Sequence, residues 1–129
     1  MILGTGTDLI DVRRIERALA RFGHRFARRV LVEDEFRRFC SHTKPAHYLA
    51  KRFAAKEAFC KAMGTGMQFP VTWHNLSVAN ERSGRPYLKF SDPLGELLKR
   101  RGISRTHLSL SDEIEMACAF VVLEGDEHE

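Results

Sequence analysis

The stretch Arg52-Phe53-Ala54-Ala55-Lys56-Glu57-Ala58-Phe59-Cys60-Lys61-Ala62-Met63-Gly64-Thr65-Gly66 decides how the rest of the chain is read. It has the form of the end of a helix running into a Gly-Thr-Gly turn. Glu57 and Lys61 are four residues apart and so share one helical face. The segment therefore gathers a carboxylate, an ammonium and a loop of free backbone N–H groups, a combination suited to a metal ion and a phosphorylated ligand. A plainer account competes with this. Glu followed by Lys at this spacing is an ordinary stabilising pair, worth about 0.2–0.5 kcal/mol, and Gly64 is an ordinary helix stop. The choice between them rests on the remainder of the chain.

Upstream, Pro45 fits the first turn of this helix, which should run to about Met63 with Ala46, Leu49, Ala50, Phe53, Ala54 and Ala58 as its packed stripe. Glu57 falls at the edge of that stripe, and a partly buried carboxylate needs a counter-charge or a metal. Residues 2–10 read as a first strand, interrupted by Gly4 and Gly6. From Val12 a helical period takes over, with Ile15, Leu19, Phe22, Phe26 and Val30 as a buried stripe and Gly23 bending or breaking it into two helices. Residues 32–41 suggest a further short helix. Downstream, residues 73–79 and 86–90 read as strands joined by the turn Glu81-Arg82-Ser83-Gly84-Arg85. Ser91-Asp92-Pro93 caps a helix ending at Gly102, and residues 107–111 and 116–123 form a final hairpin.

A chain of 129 residues with a 43% apolar share argues for one domain around one core, spanning 1–129. It holds no run of 18 apolar residues, so no membrane span is expected, and Met1-Ile2-Leu3-Gly4 lacks the pattern of a secretion signal. Cys40, Cys60 and Cys118 are scattered and make no C-x-x-C pair. That suggests neither a zinc knuckle nor a disulfide framework, and a reduced cytoplasmic setting is the simplest expectation. The net charge is +4, unevenly spread. Residues 13 to 29 hold seven arginines against the single acid Glu16, while the C-terminal tail carries Glu124, Asp126, Glu127 and Glu129. Arg14, Arg17, Arg21, Arg25 and Arg28 recur with helical spacing on a second face and have no interleaved acids, which points to an anionic partner.

Asp8 is the second key carboxylate. It sits inside a strand pattern, where Asp is disfavoured, although a turn or cap role beside Asp11 is the ordinary alternative. Asp8 and Glu57 are the two acids most awkwardly placed for solvation. Magnesium is held by one or two carboxylates, with water and phosphate oxygens completing the octahedron. The glycine signals are weak alone. Gly4-Thr5-Gly6-Thr7-Asp8 lacks the third glycine of a dinucleotide fingerprint, and Gly64-Thr65-Gly66 lacks the Lys-Ser or Lys-Thr of a Walker loop. His107 begins a strand with Ser109 and Ser111 on the same side.

Three blocks together carry a resemblance: Gly4-Thr5-Gly6-Thr7-Asp8, the segment Arg52 to Gly66, and His107-Leu108-Ser109-Leu110-Ser111. In order and spacing they are similar to the holo-acyl-carrier-protein synthases, the short-chain branch of the 4′-phosphopantetheinyl transferases, and the Ser83-Gly84-Arg85-Pro86 turn resembles that family too. One departure is Asp112, where many members carry histidine and others an acid; it puts in doubt a role for that position as a base or a coenzyme contact and leaves the two metal positions untouched.

The resemblance implies an α+β fold with an antiparallel sheet packed on the long helix. It also implies magnesium-dependent transfer of 4′-phosphopantetheine from coenzyme A to a serine of apo acyl carrier protein, releasing adenosine 3′,5′-bisphosphate. Asp8 and Glu57 would hold the magnesium. Lys61, with Gly64, Thr65 and Gly66, would meet phosphate oxygens. Ser83, Gly84, Arg85 and Pro86 would lie near the adenine end, and His107 near the phosphates. Glu57, a metal-bound water or His107 could take the serine proton. Arg14, Arg17, Arg21, Arg25 and Arg28 would dock the acidic carrier protein. Members form homotrimers with the active site at the subunit interface and serve fatty acid biosynthesis in the cytoplasm, with no membrane or nucleic-acid partner. An alternative from another class is a non-enzymatic RNA-binding module using the arginine helix. It leaves Asp8, Glu57 and the Gly-Thr-Gly turn without purpose and lacks the aromatic interleaving of single-strand binders.

Overall fold

The computed structural model describes residues 1–127; Glu129 of the acidic tail lies outside them. In chain order the elements are β1 (Ile2–Asp11), α1 (Val12–Phe22), α2 (His24–Val30), α3 (Glu33–Ser41), α4 (Pro45–Met63), β2 (Leu76–Asn80), β3 (Pro86–Phe90), α5 (Asp92–Arg100), β4 (Ile103–Asp112) and β5 (Met116–Gly125). β1, β5 and β4 form an antiparallel sheet in that order, and β2 with β3 form a separate antiparallel hairpin. The architecture is α+β with the antiparallel sheet packed on the long helix α4, as anticipated. Among the described residues, no helix is long and apolar enough to cross a membrane.

α4 lies across β1 and β5, with α1, α3 and β2 on its other sides. Its burial therefore extends nearly all round rather than along one stripe: Tyr48, Arg52, Lys56, Phe59, Cys60 and Met63 are buried as well as Leu49, Ala50, Ala54 and Ala58. The alanines explain how so much surface can be covered, because they let neighbouring backbones come close at little entropic cost. The approach is tightest at β1. A Cβ placed on Gly6 would overlap the Ala58 carbonyl and stand 2.7 Å from the Ala62 amide nitrogen, and one on Gly4 would overlap the Ala62 carbonyl. The two glycines that seemed to interrupt the strand are what let α4 rest on it, and β1 runs through them to Asp11.

A buried ion pair, not anticipated from the sequence, ties the other side of α4. Lys56 Nζ donates to Glu35 Oε1 at 2.7 Å, to the Val30 carbonyl at 2.7 Å and to the Trp73 carbonyl at 2.9 Å. Glu35 in turn accepts from the Val32 amide at 3.0 Å and from the Val78 amide at 2.8 Å. The Lys56 side chain is 0% exposed and that of Glu35 3%. Burial pushes the Lys56 ammonium below its ordinary range while Glu35 pulls it back. Three donated and three accepted bonds satisfy the pair, which is the condition for a buried ion pair to be tolerated.

Several boundaries move from the sequence reading for local reasons. The strand expected over 73–79 spans Leu76–Asn80. The Trp73 carbonyl is bound by Lys56, and residues 68–75 are held in turns by Val71 N–H to Gln68 O and Asn75 N–H to Thr72 O. The helix expected to reach Gly102 ends at Arg100, with Gly102 at φ 74° just beyond it. Gly23, at φ 61° and ψ −148°, breaks the arginine-rich segment in two. Phe22, expected in the buried stripe, is 45% exposed because that break turns it outward, whereas Val12, Ile15 and Val30 are buried.

Removing one member of the Lys56–Glu35 pair leaves the other charged and buried. Lys56→Met or Glu35→Leu alone should therefore cost about 3–5 kcal/mol of unfolding free energy. The double variant should recover most of that loss. Urea unfolding followed by circular dichroism is the check.

Candidate active site

Alternation along β1 puts Gly4, Gly6, Asp8 and Ile10 on the face turned to α4. The glycines bring the last turns of the helix against the strand, and two residues further on Asp8 meets those turns. Asp8 Oδ1 accepts a hydrogen bond from Lys61 Nζ at 3.1 Å, and the same ammonium donates to the Thr7 carbonyl at 2.9 Å. Lys61 thus pairs with the strand carboxylate and not with Glu57, so the simple helical Glu–Lys pair is not what forms. Glu57 has no hydrogen bond or ion pair among the described residues. Its carboxyl is held above the ordinary range, first by burial and then by the charge of Asp8, with Lys61 pulling the other way.

Two carboxylates from separate elements thus repel one another while the single ammonium between them bonds only one. That arrangement lacks a positive charge. Its donors are carboxylate oxygens, which suit a hard divalent cation such as magnesium. No cluster of three or more His, Cys, Asp or Glu exists among the described residues, so water or ligand oxygens would fill the remaining coordination positions. The thiol of Cys60, on the same helix, is buried and pushed up to about 12, which removes it as a nucleophile.

The Gly64 turn is less open than the sequence suggested. The Gly64 N–H closes the helix end on the Cys60 and Lys61 carbonyls, at 3.0 and 3.1 Å, with Gly64 left-handed at φ 73°. The amides of Thr65 and Gly66 engage no partner among the described residues and remain available to an anion. Gly66 is also left-handed, at φ 64°.

The other candidates lie elsewhere in the same chain. His107 stands opposite Val122 on β5, on the sheet face turned away from α4, and its Nε2 lies 2.9 Å from Glu124 Oε1. Ser83, Gly84, Arg85 and Pro86 form the β2–β3 turn, with Gly84 at φ 94°. Their polar contacts stay within the hairpin, where Asn80 Nδ2 donates to the Gly84 carbonyl at 2.9 Å. Arg14, Arg17 and Arg21 are exposed on α1, and Arg25 on α2. Arg28 is already engaged, with its guanidinium 4.0 Å from the Phe36 ring centroid and 3.7 Å from Glu33.

One cluster was missed in the sequence. Arg52, 5% exposed, lies over the Tyr48 ring at 4.1 Å and donates to Asn80 Oδ1 at 3.1 Å, yet its Nε and the Tyr48 hydroxyl have no partner. With Arg38, Ser41, His42, Lys51 and Asn80 they line a cavity of about 400 Å³. The signal was the i,i+4 spacing of Tyr48 and Arg52 at the start of the decisive segment; Asn80 enters only through the fold. Asp112 lies 3.7 Å from Lys51, a surface ion pair on the rim of this region.

Comparison with known proteins identifies the family. Residues 4–119 match the family model of the 4′-phosphopantetheinyl transferase superfamily. A holo-(acyl-carrier-protein) synthase of Nitrosomonas europaea is 54% identical over 124 residues, covering 96% of this chain and 99% of its own. The crystal structure of the synthase from Neisseria meningitidis superposes with a TM-score of 0.93 at 45% identity, covering 96% of this chain and 99% of its own. The Bacillus anthracis synthase, solved in complex with CoA (3′,5′-ADP), superposes with a TM-score of 0.81 at 36% identity, covering 98% and 99%. On this match over nearly its whole length, the chain belongs to the 4′-phosphopantetheinyl transferase superfamily.

Proposed function

We propose that this protein is a holo-(acyl-carrier-protein) synthase, a single-domain enzyme moving 4′-phosphopantetheine from coenzyme A to a serine of apo acyl carrier protein. The observation that carries the proposal is the Asp8–Glu57 pair, two mutually repelling carboxylates whose neighbouring Lys61 ammonium bonds only Asp8, beside the helix end that runs into the Gly64 turn. The serine oxygen forms a bond to the β-phosphorus while the bond to the adenosine-side bridging oxygen breaks, and adenosine 3′,5′-bisphosphate leaves. Asp8 and Glu57 would hold magnesium, which when bound supplies charge neutralisation at the pyrophosphate. Lys61, half-exposed and flexible, would exchange its Asp8 partner for a phosphate oxygen, and the Thr65 and Gly66 amides would add backbone donors. The Ser83–Pro86 turn would face the adenine end, beside the cationic cavity around Arg52. Glu57, His107 or a metal-bound water would take the serine proton. The RNA-binding alternative leaves the carboxylate pair unexplained.

The enzyme is read further as a homotrimer with its active site at the subunit boundary. In one chain His107 and Asp8 lie on opposite faces of the sheet. The outer face exposes Leu9 at 63% and Phe120 at 37%, apolar area that a second copy would cover while offering its own His107. On the far side, Arg25, Arg29, Phe22 and Phe26 line a cavity of about 430 Å³. A basic rim over an apolar floor fits an acidic partner such as acyl carrier protein, with Arg14, Arg17 and Arg21 alongside. Three unpaired cysteines agree with a cytoplasmic enzyme serving fatty acid biosynthesis.

Glu57→Gln and Asp8→Asn should each lower transfer roughly 100-fold or more. Glu57→Gln should also raise the melting temperature of the metal-free protein near neutral pH. The wild-type carboxyl, raised in the folded state, costs stability once ionised, and that cost disappears as pH falls through its folded value. Magnesium should stabilise the wild type and leave Glu57→Gln unmoved. Thermal unfolding with and without magnesium, at two pH values, decides this apart from activity.

Light scattering should find a trimer. Co-refolding the impaired Asp8→Asn with the impaired His107→Ala should give more activity than the average of the two variants refolded alone, since some boundaries would combine an intact Asp8 with an intact His107. Mixed trimers no more active than that average would contradict the shared site.

Arg14→Glu with Arg21→Glu should raise the KM for carrier protein at least about ten-fold and leave that for coenzyme A within a few-fold. Carrier-protein kinetics of the wild type should weaken with salt, and those of the variant should respond less. Equal losses for both substrates would remove the arginine face from docking.

A further inference from the structure

On the outer sheet face, away from Asp8 and Glu57, Arg105, His107 and Glu124 form a connected set of side chains that the mechanism has not used in full. Glu124 Oε1 lies 2.9 Å from His107 Nε2 and 3.2 Å from Arg105 Nε. The strand register produces this. Arg105 stands opposite Glu124, and His107, two residues along β4, projects from the same face.

The chemistry of the pair fixes which ring nitrogen does what. His107 and Arg105 hold the Glu124 carboxyl below its usual range, the hydrogen bond to His107 being the largest cause. An ionised carboxylate only accepts hydrogen bonds. The imidazole nitrogen facing it must therefore carry a proton, which assigns N–H to Nε2 and leaves Nδ1 as the free ring atom. Uncharged, Nδ1 presents a lone pair; when the ring gains its second proton, Nδ1–H becomes a charge-assisted donor directed away from Glu124.

We propose that Glu124 is a positioning residue for the transfer reaction, locking the His107 ring through Nε2 so that Nδ1 is the atom presented to the phosphate-bearing co-substrate. The proposal rests on the reading of His107 as part of the active site. Arg105 shares the same Oε1 and helps to neutralise the carboxylate, and its guanidinium, 61% exposed, stays open to the same co-substrate.

The test joins a ring-proton measurement to a mutant cycle in the full-length protein. Histidine-selective ¹⁵N labelling, with His107→Gln to assign the signal, should show a protected Nε2 proton and a bare Nδ1 in the neutral ring. Glu124→Ala should lose that protection, and Glu124→Gln, whose amide oxygen still accepts, should keep it. With coenzyme A varied, Glu124→Ala and His107→Ala should each lower kcat/KM about ten-fold, the low end of the loss seen when the hydrogen-bond partner of a metal-ligating histidine is removed. The double variant should lose no more than either alone. A proton on Nδ1, an unchanged ring signal in Glu124→Ala, or additive losses would overturn the proposal. An impaired His107→Ala beside a fully active Glu124→Ala would overturn the pairing and leave His107 in the site. A fully active His107→Ala would remove His107 from the site and the proposal with it.

Discussion

The backbone of α4 rests against β1 because Gly4 and Gly6 present no side chain to it, and the rest of the molecule depends on that contact. A single methyl at Gly6 would overlap the Ala58 carbonyl. The approach brings Asp8, on the same strand face as the glycines, to the helix turn that carries Glu57 and Lys61. Packing and chemistry are thus one arrangement: the residues that close the core against the sheet also set the spacing of the two carboxylates.

α4 holds two opposite solutions to a buried charge at adjacent positions. Lys56 is fully enclosed and fully satisfied by a carboxylate and two carbonyls. Glu57, one residue on and about 100° around the helix, is half-buried and bonded to no protein group among the described residues. The first joins the end of α2, the start of α3, the 68–75 turns and β2 to the helix. The second is a destabilised group held in place by that rigidity, which is the usual relation between a strained site and the scaffold around it. Stabilised on one face, the helix can tolerate an unmet charge on the other.

The sheet separates the candidate groups in a way that a list of residues does not reveal. Its inner face carries Asp8 and its outer face His107, Arg105 and Glu124. A side chain on one face cannot reach the other through a backbone layer with alternating residues. In the proposed trimer, groups on both faces would act on one substrate where the outer face of one copy meets the inner cluster of another. The exposed Leu9 and Phe120 lie on the face such a contact would cover.

Much of this was legible in the sequence. The order of elements followed from hydrophobic period, Gly23 and Pro45, since local propensity and turn chemistry act over a few residues. Asp8 and Glu57 stood out as acids where a strand and a helix should be packed, and Lys61 as the neighbour of Glu57 on one helical face. What local pattern could not supply was anything set by contact between distant segments. Trp73 reads as strand, but Lys56 takes its carbonyl from across the fold. Phe22 fits a buried stripe until Gly23 turns it outward. Gly64 seemed a free donor until the helix end claimed its N–H. The Lys56–Glu35 pair, the Arg52–Asn80 bond and the partnership of Lys61 with Asp8 join residues 21, 28 and 53 positions apart. The sequence by itself determined which elements form and which polar residues sit awkwardly within them. Only the tertiary structure decided which of those residues meet, because that depends on how closely two backbones can approach and on which face of the sheet each side chain leaves.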